Sequence, residues 1–182
     1  RVTEQSQFTS RVDQLDQQVD EWWERWRGMP TVDRLFFSAS NLGDFSLIWH
    51  IVGGVRALPP GRKTGSAVGF SALLGLESLL VNQGVKRFFV RNRPGSADEN
   101  TTKHQLRQPI TSSFPSGHAS AAFCASTVLA RRSKFGSLWH LVAGVVACSR
   151  IHVRLHHASD VGAGACLGFL LGKTIGRLVP KG

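Results

Sequence analysis

Apolar residues in the first part of the chain recur at alternating steps of four and three residues. They are Phe8, Val12, Leu15, Val19, Trp22 and Trp26, with Asp, Glu, Gln and Arg between them. This spacing gives a helix one apolar side, because an α-helix turns once in about 3.6 residues. It predicts an amphipathic helix over residues 6–27.

Two surfaces could receive the apolar side of this helix. The tryptophans near its end suit the interface of a lipid bilayer, which accommodates both a ring body and a polar N–H. The alternative is packing against the protein's own body or against a second copy in a homodimer. An excess of acidic residues favours packing, because helices that lie on membranes are usually basic. The acids are Asp13, Asp16, Asp20, Glu21 and Glu24, against Arg11, Arg25 and Arg27.

Five apolar stretches rich in small residues follow, at 34–57, 65–83, 117–131, 136–149 and 159–179. Segments of Gly, Pro and basic residues separate them. We predict a helix in each stretch, and hence an all-α helical bundle with about five transmembrane helices beside the N-terminal amphipathic helix. The 182 residues are too few for two ordinary domains, so residues 1–182 are expected to form one domain with its helical core at 34–179.

Polar residues interrupt these stretches and leave a soluble bundle as an alternative. Asp44 and His50 lie in the first, Glu77 in the second and Lys173 in the last, and the mean hydropathy of −0.07 is low for a membrane protein. The abundance of Gly, Ala and Ser and the short loops favour close packing of membrane helices. Asp44 and Glu77 are then expected to be buried polar contacts between helices or groups that face the site.

The chain is strongly basic. It has 22 Lys and Arg against 12 Asp and Glu, a net charge of +10. Such a balance suits a nucleic acid, an anionic membrane surface or a phosphorylated substrate. No nucleic-acid-binding motif accompanies the charge, so a nucleic acid is not expected as a partner.

A first motif, Lys86-RFFVRN-Arg93-Pro94, follows the second apolar stretch. Arg offers a planar fork for two phosphate oxygens, and Lys acts as a point charge. Two fixed cations suit a phosphate dianion, although basic residues beside a membrane are common.

A second motif, Pro115-Ser116-Gly117-His118, opens the third helix. It places a hydroxyl and backbone N–H groups at the positive end of a helix, where an anion is stabilised. An ordinary helix start with a capping Ser is the alternative.

A third motif, Ser149-Arg150-IHVRL-His156-HAS-Asp160, joins the fourth helix to the fifth. His156 and Asp160 are four residues apart, so the carboxylate can accept a hydrogen bond from one ring nitrogen and leave the other free as a nucleophile. His157, three residues from Asp160, competes for this role on local geometry.

The three motifs K-x6-RP, PSGH and SR-x5-H-x3-D, in this order, resemble the signature of the type-2 phosphatidic acid phosphatase superfamily, which also contains soluble acid phosphatases and vanadium haloperoxidases. The resemblance covers about residues 65–179. It implies a helical bundle that presents all three motifs at one end. It also implies that Lys86, Arg93 and Arg150 hold the phosphoryl oxygens together with Ser116 and the backbone N–H of Gly117.

The resemblance further assigns the catalytic roles. It makes His156 the nucleophile that forms a phosphohistidine, Asp160 its orienting partner and His118 the proton donor to the leaving oxygen. The fixed spacing of the signature selects His156 over His157. No metal and no other cofactor is expected, because cationic side chains replace the ions that many phosphatases use.

The resemblance thus implies an integral-membrane lipid phosphatase of the cell envelope. Expected substrates are phosphatidate, phosphatidylglycerol phosphate, or a polyprenyl phosphate or diphosphate. A soluble acid phosphatase is the alternative, a haloperoxidase is disfavoured by the short chain, and a catalytically silent lipid-binding protein is disfavoured because every motif position is filled.

Five membrane crossings would put residues 84–116 and 149–160 on the same side. Basic residues outside the motifs are concentrated on the other side, so a multi-pass plasma-membrane protein with an extracytoplasmic site is expected. These residues are Arg56, Arg62, Lys63, Arg131, Arg132, Lys134, Lys173, Arg177 and Lys181. The polar segment 95–114 is a candidate lid, and His104 within it is expected to be solvent-exposed.

Overall fold

The computed structural model describes residues 2–58, 64–94, 111–131 and 133–178. Within these ranges all regular structure is helical, which confirms the all-α prediction. The α-helices are α1 (Val2–Glu24), α2 (Pro30–Gly43), α3 (Leu47–Ala57), α4 (Thr64–Leu79), α5 (Gly117–Ala130), α6 (Gly136–His152) and α7 (Ala158–Thr174).

The first apolar stretch, predicted as one helix over 34–57, is broken in its middle. A 3₁₀ turn at Asp44–Ser46 separates α2 from α3, and Phe45 and Ser46 have φ angles of 50° and 58°. Residues with side chains rarely adopt this left-handed region, and such strain is held by the surrounding structure. The break brings the side chain of Asp44 next to the first turn of α5.

The second stretch extends beyond its predicted end at residue 83. Helix α4 passes into a π-helical turn at Leu80–Gly84 and then a 3₁₀ turn at Val85–Phe88. Changes of helical pitch of this kind re-aim the side chains that follow them. Here they carry the chain to Lys86, at the beginning of the first motif.

Helices α5 and α7 pack in parallel at very short range. A Cβ atom added to Gly164 would lie 2.3 Å from the carbonyl oxygen of Ser116, and one added to Gly168 would lie 1.9 Å from that of Ser120. Only glycine permits this approach of two backbones. The contact brings the N-terminal ends of α5 and α7, which carry the second and third motifs, side by side.

The apolar core lies between helices α3 to α6. Its large buried side chains include Trp49, Phe70, Leu74 and Val146. Glu77 is also buried in this region and accepts a hydrogen bond from the Ser120 hydroxyl. Of the two predictions for Glu77, a polar contact between helices is the one that the structure supports.

Helix α1 packs on the motif end of the bundle with a polar side. Asp16 is buried, the Trp23 indole N–H donates to His152 Nδ1 at 3.1 Å, and Arg27 donates to the carbonyl oxygen of Ile151 at 2.8 Å. Leu15 and Trp22, which belong to the predicted apolar stripe, are exposed. The packing side therefore differs from the predicted stripe, because buried hydrogen bonds to α6 and α7 determine which way the helix faces.

Two helical segments, Gly65–Phe88 and Ala158–Leu178, are long and apolar enough to cross a membrane. The other core helices that the structure describes are shorter, with 11 residues in α3, 14 in α5 and 17 in α6.

We predict that Gly168→Ala strongly destabilises the fold. The new methyl group would overlap the Ser120 carbonyl, and overpacking of this kind costs about 1–3 kcal/mol or more. Gly162→Ala is the matched control on the same helix, since a Cβ there meets nothing within 4 Å. Thermal unfolding in detergent should show a clearly lower midpoint for the first variant alone. Equal midpoints would contradict the close contact.

Candidate active site

Three cations from different segments are buried together at the motif end of the bundle. Lys86 is 9% exposed, Arg93 is 6% exposed and Arg150 is 3% exposed. They are near enough for Arg93 and Arg150 to act electrostatically on Lys86. Buried cations that repel each other are retained only when acceptors or an anion offset their charge.

Backbone carbonyls hold Arg93 in place. Its Nη1 atom donates to the carbonyl oxygen of Leu155 at 2.7 Å, and Nη2 donates to that of Thr111 at 3.2 Å. The same Nη1 lies 3.2 Å from His156 Nε2. The first motif is thereby brought against the third.

Arg150 is fixed between α2 and the loop that carries His156. Its Nη1 atom donates to the Ser40 hydroxyl at 2.5 Å and lies 3.7 Å from the Asp44 carboxylate. Its carbonyl oxygen accepts the His156 backbone N–H at 3.2 Å. The buried Nε atom has no hydrogen-bond partner among the described residues, so it remains a donor for an anion.

Ser116 and Gly117 form the start of α5. The fully buried Ser116 caps the helix by accepting the Ala119 backbone N–H, which leaves its hydroxyl proton as a donor. Its backbone N–H donates to the Asp160 carbonyl at 3.0 Å. A Cβ on Gly117 would come within 2.9 Å of Asn82 Oδ1, so this position has little room for a side chain.

His156 lies between the cations and Asp160. Its Nε2 atom faces Arg93, and its Nδ1 atom is 3.8 Å from Asp160 Oδ2. Burial, with the neighbouring cations Arg93, Arg150 and Lys86, lowers the pKa of His156 to about 3, although Asp160 acts in the opposite direction. The imidazole is consequently neutral at physiological pH, the state in which a ring nitrogen can attack phosphorus.

His157 occupies a different environment. It is the N-cap of α7, with its backbone N–H donating to Asp160 Oδ2 at 2.9 Å. Its ring Nε2 atom lies 3.3 Å from the carbonyl oxygen of Asn92, in an exposed position. The two histidines, which local spacing alone did not separate, therefore differ in burial and in the groups they face.

His118 is paired with Asp44 across the helix break. Its Nε2 atom lies 2.7 Å from Asp44 Oδ1. The Asp44 side chain is 48% exposed, so of the two predictions for this residue the structure supports a group that faces the site. The sequence signal was the single acidic residue inside an apolar stretch, but nothing in it named His118 as the partner.

The other histidines within the described residues make structural contacts. His50 lies 2.9 Å from the Ser71 hydroxyl, His140 lies 3.0 Å from that of Ser126, and His152 contacts Trp23 and Asp33. His104 and most of the predicted lid, residues 95–110, lie outside the described part of the chain.

The family model of the PAP2 superfamily matches residues 66–181, which contain all three motifs. The chain belongs to the PAP2 superfamily. This confirms the resemblance on which the expected fold and activity rest.

Curated relatives of this PAP2 protein are lipid phosphatases. Decaprenylphosphoryl-5-phosphoribose phosphatase of Mycobacterium tuberculosis is 28% identical over 138 residues, which cover 75% of this chain and 74% of that protein. The enzyme of the same name from Mycolicibacterium smegmatis is 31% identical over 69% of this chain and 67% of its own length. Phosphatidylglycerophosphatase B of Bacillus subtilis is 32% identical over 60% of this chain and 56% of its own length.

Two solved structures share the fold. A transmembrane PAP2-type phosphatidylglycerolphosphate phosphatase from Bacillus subtilis superposes with a TM-score of 0.72 at 24% identity, over 94% of this chain and 89% of that one. LpxE of Aquifex aeolicus also superposes with a TM-score of 0.72, at 25% identity, over 90% of this chain and 95% of that one. These two likenesses show the fold; the family match and the curated relatives confirm the prediction of a lipid phosphatase.

We predict that Asp44→Asn lowers turnover most for substrates with poor leaving groups. The Asp44 carboxylate contacts Nε2 of His118 and favours the protonated form of the imidazole, to which the family resemblance assigns protonation of the leaving oxygen. The alkoxide that leaves an alkyl phosphate needs that proton, whereas the nitrophenolate that leaves a nitrophenyl phosphate departs largely without it. In the variant, kcat/KM should therefore fall more for the alkyl phosphate than for the nitrophenyl phosphate, because kcat/KM reports the step in which the leaving group departs. Equal losses on both would show that Asp44 does not act through His118.

Proposed function

We propose that this PAP2 protein is a multi-pass membrane phosphatase that hydrolyses a lipid phosphate monoester or diphosphate through a phosphohistidine at His156. The observation that carries the proposal is the buried imidazole whose Nε2 lies 3.2 Å from Arg93, within a group of buried cations. A nucleophile beside fixed positive charge is the arrangement that phosphoryl transfer requires.

The reaction proceeds in two displacements. His156 Nε2 attacks phosphorus in line, a P–N bond forms and the bond from phosphorus to the leaving oxygen breaks as His118 protonates that oxygen. Lys86, Arg93 and Arg150 stabilise the equatorial oxygens. Water, deprotonated by His118, then attacks phosphorus, and the P–N bond breaks to release inorganic phosphate.

Two further donors and an orienting carboxylate complete the proposed site. The Ser116 hydroxyl and the Gly117 backbone N–H stand where the positive end of α5 favours the phosphoryl oxygens. Asp160 orients His156 and stabilises the positive charge that its ring acquires when it is phosphorylated. We propose that the reaction needs no metal, because these cations and donors supply the charge stabilisation.

Apolar side chains next to the site residues support a lipid substrate. Phe45 is 97% exposed beside Asp44, and Phe88 and Val90 are 84% and 100% exposed between Lys86 and Arg93. Exposed apolar groups of this size are costly in water unless they meet a lipid or a partner. The named relatives are phosphatases of decaprenylphosphoryl-5-phosphoribose and of phosphatidylglycerophosphate, and we propose a substrate with a polyprenyl or a glycerolipid anchor of these two kinds.

We further propose that five helical segments cross the membrane as parts of one domain. Segments Gly65–Phe88 and Ala158–Leu178 are supported by length and composition. The broken pair α2–α3, with α5 and α6, would complete the five. Helix α1 then lies at the membrane surface, with Leu15, Trp22 and Trp26 exposed toward lipid. A homodimer through the same exposed side chains is the alternative.

An extracytoplasmic site is supported by the distribution of basic residues. Five described bases outside the motifs lie at the ends of the helices opposite the site: Arg56, Arg131, Lys134, Lys173 and Arg177. At the site end, Arg91 pairs with Asp16 and Arg154 pairs with Glu24, while Arg87 donates to Gln83. The positive-inside rule assigns the opposite end to the cytoplasm.

The test is a phosphate-release panel in detergent that compares a phosphatidylglycerol phosphate, a polyprenyl phosphate, a polyprenyl diphosphate and a water-soluble phosphate. We expect one lipid class to be hydrolysed much faster than the soluble ester, with no loss on addition of a chelator. His156→Ala and His118→Ala should abolish release while the protein remains folded. Equal rates on all substrates would contradict lipid specificity, and full activity of His156→Ala would contradict the nucleophile.

A further inference from the structure

Asp16 of helix α1 is a buried carboxylate, 5% exposed, that the proposed reaction does not use. Its Oδ1 atom accepts the Ser159 backbone N–H at 2.8 Å. Its Oδ2 atom accepts the Ser159 hydroxyl at 2.5 Å and Arg91 Nη2 at 2.7 Å. A carboxylate removed from water in this way is retained by its partners. Asp16 thus holds a residue of the first motif segment and the first turn of α7.

Arg91 connects this carboxylate to Asp160. It lies inside the K-x6-RP motif, at one of the positions that the signature leaves open. Its Nη1 atom donates to Asp160 Oδ1 and to the Ser159 hydroxyl, both at 2.7 Å, while Nη2 also reaches the exposed Asp13 at 3.0 Å. A guanidinium with its fork divided between two carboxylates has little freedom to turn.

The two carboxylate oxygens of Asp160 have different partners. Oδ1 is held by Arg91, whereas Oδ2 accepts the His157 backbone N–H at 2.9 Å and faces His156 Nδ1 at 3.8 Å. With Oδ1 fixed, the carboxylate cannot rotate about its Cβ–Cγ bond without breaking a charged hydrogen bond. Oδ2 therefore stays directed at His156.

We propose that Arg91 and Asp16 are positioning residues for catalysis, which act through Asp160 to keep His156 aimed at the phosphoryl group. Arg91 sets the rotation of the Asp160 carboxylate. Asp16 holds Arg91 and balances its charge, so that Asp160 keeps its negative charge available for the ring of His156. This inference rests on the proposed roles of His156 and Asp160. It also gives a function to α1, which lies outside the matched residues 66–181.

The experiment measures kcat and KM on the preferred lipid phosphate for Arg91→Gln and Asp16→Asn. Loss of the outer partner of a metal-binding histidine typically costs about 10–100-fold in activity, and by analogy we expect kcat to fall by about that factor with KM unchanged. Asp16→Asn keeps the shape of the side chain, so it tests the proposal even if Arg91→Gln does not fold. Thermal unfolding midpoints establish that the assayed variants are folded.

Glu24→Gln is the matched control on the same helix. Glu24 accepts from Arg154 at 2.8 Å and pairs with Arg27, and neither contact touches Asp160. We expect this variant to keep the wild-type kcat. A loss as large as that of Asp16→Asn would mean that any weakening of α1 has the same effect, and it would overturn the proposal.

The deciding comparison is made in an Asp160→Asn background, on its residual activity. Because Arg91 acts through Asp160, Arg91→Gln should add no further loss there. The proposal is overturned if the same fold-loss persists in that background, or if Arg91→Gln raises KM at constant kcat, which would indicate a direct phosphate ligand. If the wild type is active and Arg91→Gln and Asp16→Asn keep its kcat, this inference alone is contradicted. Full activity of Asp160→Asn would contradict the proposed function as well.

Discussion

Lys86, Arg93 and Arg150 are buried at one end of a helical bundle, and the arrangement around them follows from the need to hold that positive charge. Repulsion between cations away from water is large unless acceptors surround them. Carbonyl oxygens, the Ser40 hydroxyl and the carboxylates of Asp44 and Asp160 are the acceptors that the protein supplies. A phosphate dianion supplies the negative charge that offsets the repulsion between these cations. The buried cations therefore favour binding of a phosphoryl group over binding of a neutral group.

Three departures from regular helical packing make this arrangement possible. The break at Asp44–Ser46 sets a carboxylate opposite His118, and the π-helical and 3₁₀ turns after α4 direct Lys86 toward the other cations. The glycines of α7 allow its backbone to meet that of α5, so that Ser116 donates directly to the Asp160 carbonyl. Each departure carries strain or lost side-chain packing, and each adjoins a motif residue in the folded structure, where such costs are usually found.

The sequence predicted features that depend on neighbouring residues, such as helices and motifs. It did not predict contacts between side chains that are far apart in the chain. Apolar periodicity predicted the helices, and motif spacing predicted that Lys86, His118 and His156 belong to one site. The partners Asp44 and Asp16 lie 74 residues from His118 and 75 residues from Arg91, separations that no periodic pattern encodes. Only part of the predicted stripe of α1 packs on the bundle: Val12 and Val19 are partly buried, whereas Leu15 and Trp22 are exposed, because charged hydrogen bonds to Ser159 and Arg91 turn Asp16 inward. Spacing from Asp160 alone left His156 and His157 as alternatives, and the family signature selected His156. The coordinates add that the two rings differ in burial and in the groups they face.

The most direct test of the proposed mechanism is to identify the residue that carries the phosphoryl group during turnover. The enzyme would be mixed with a lipid phosphate, quenched at alkaline pH within a turnover, and digested for mass spectrometry of the peptide that contains both histidines. We predict a phosphohistidine at His156, which is unchanged in position in His157→Ala and absent in His156→Ala. Phosphate found on His157, or turnover with no phosphorylated histidine in rapidly quenched samples, would contradict it.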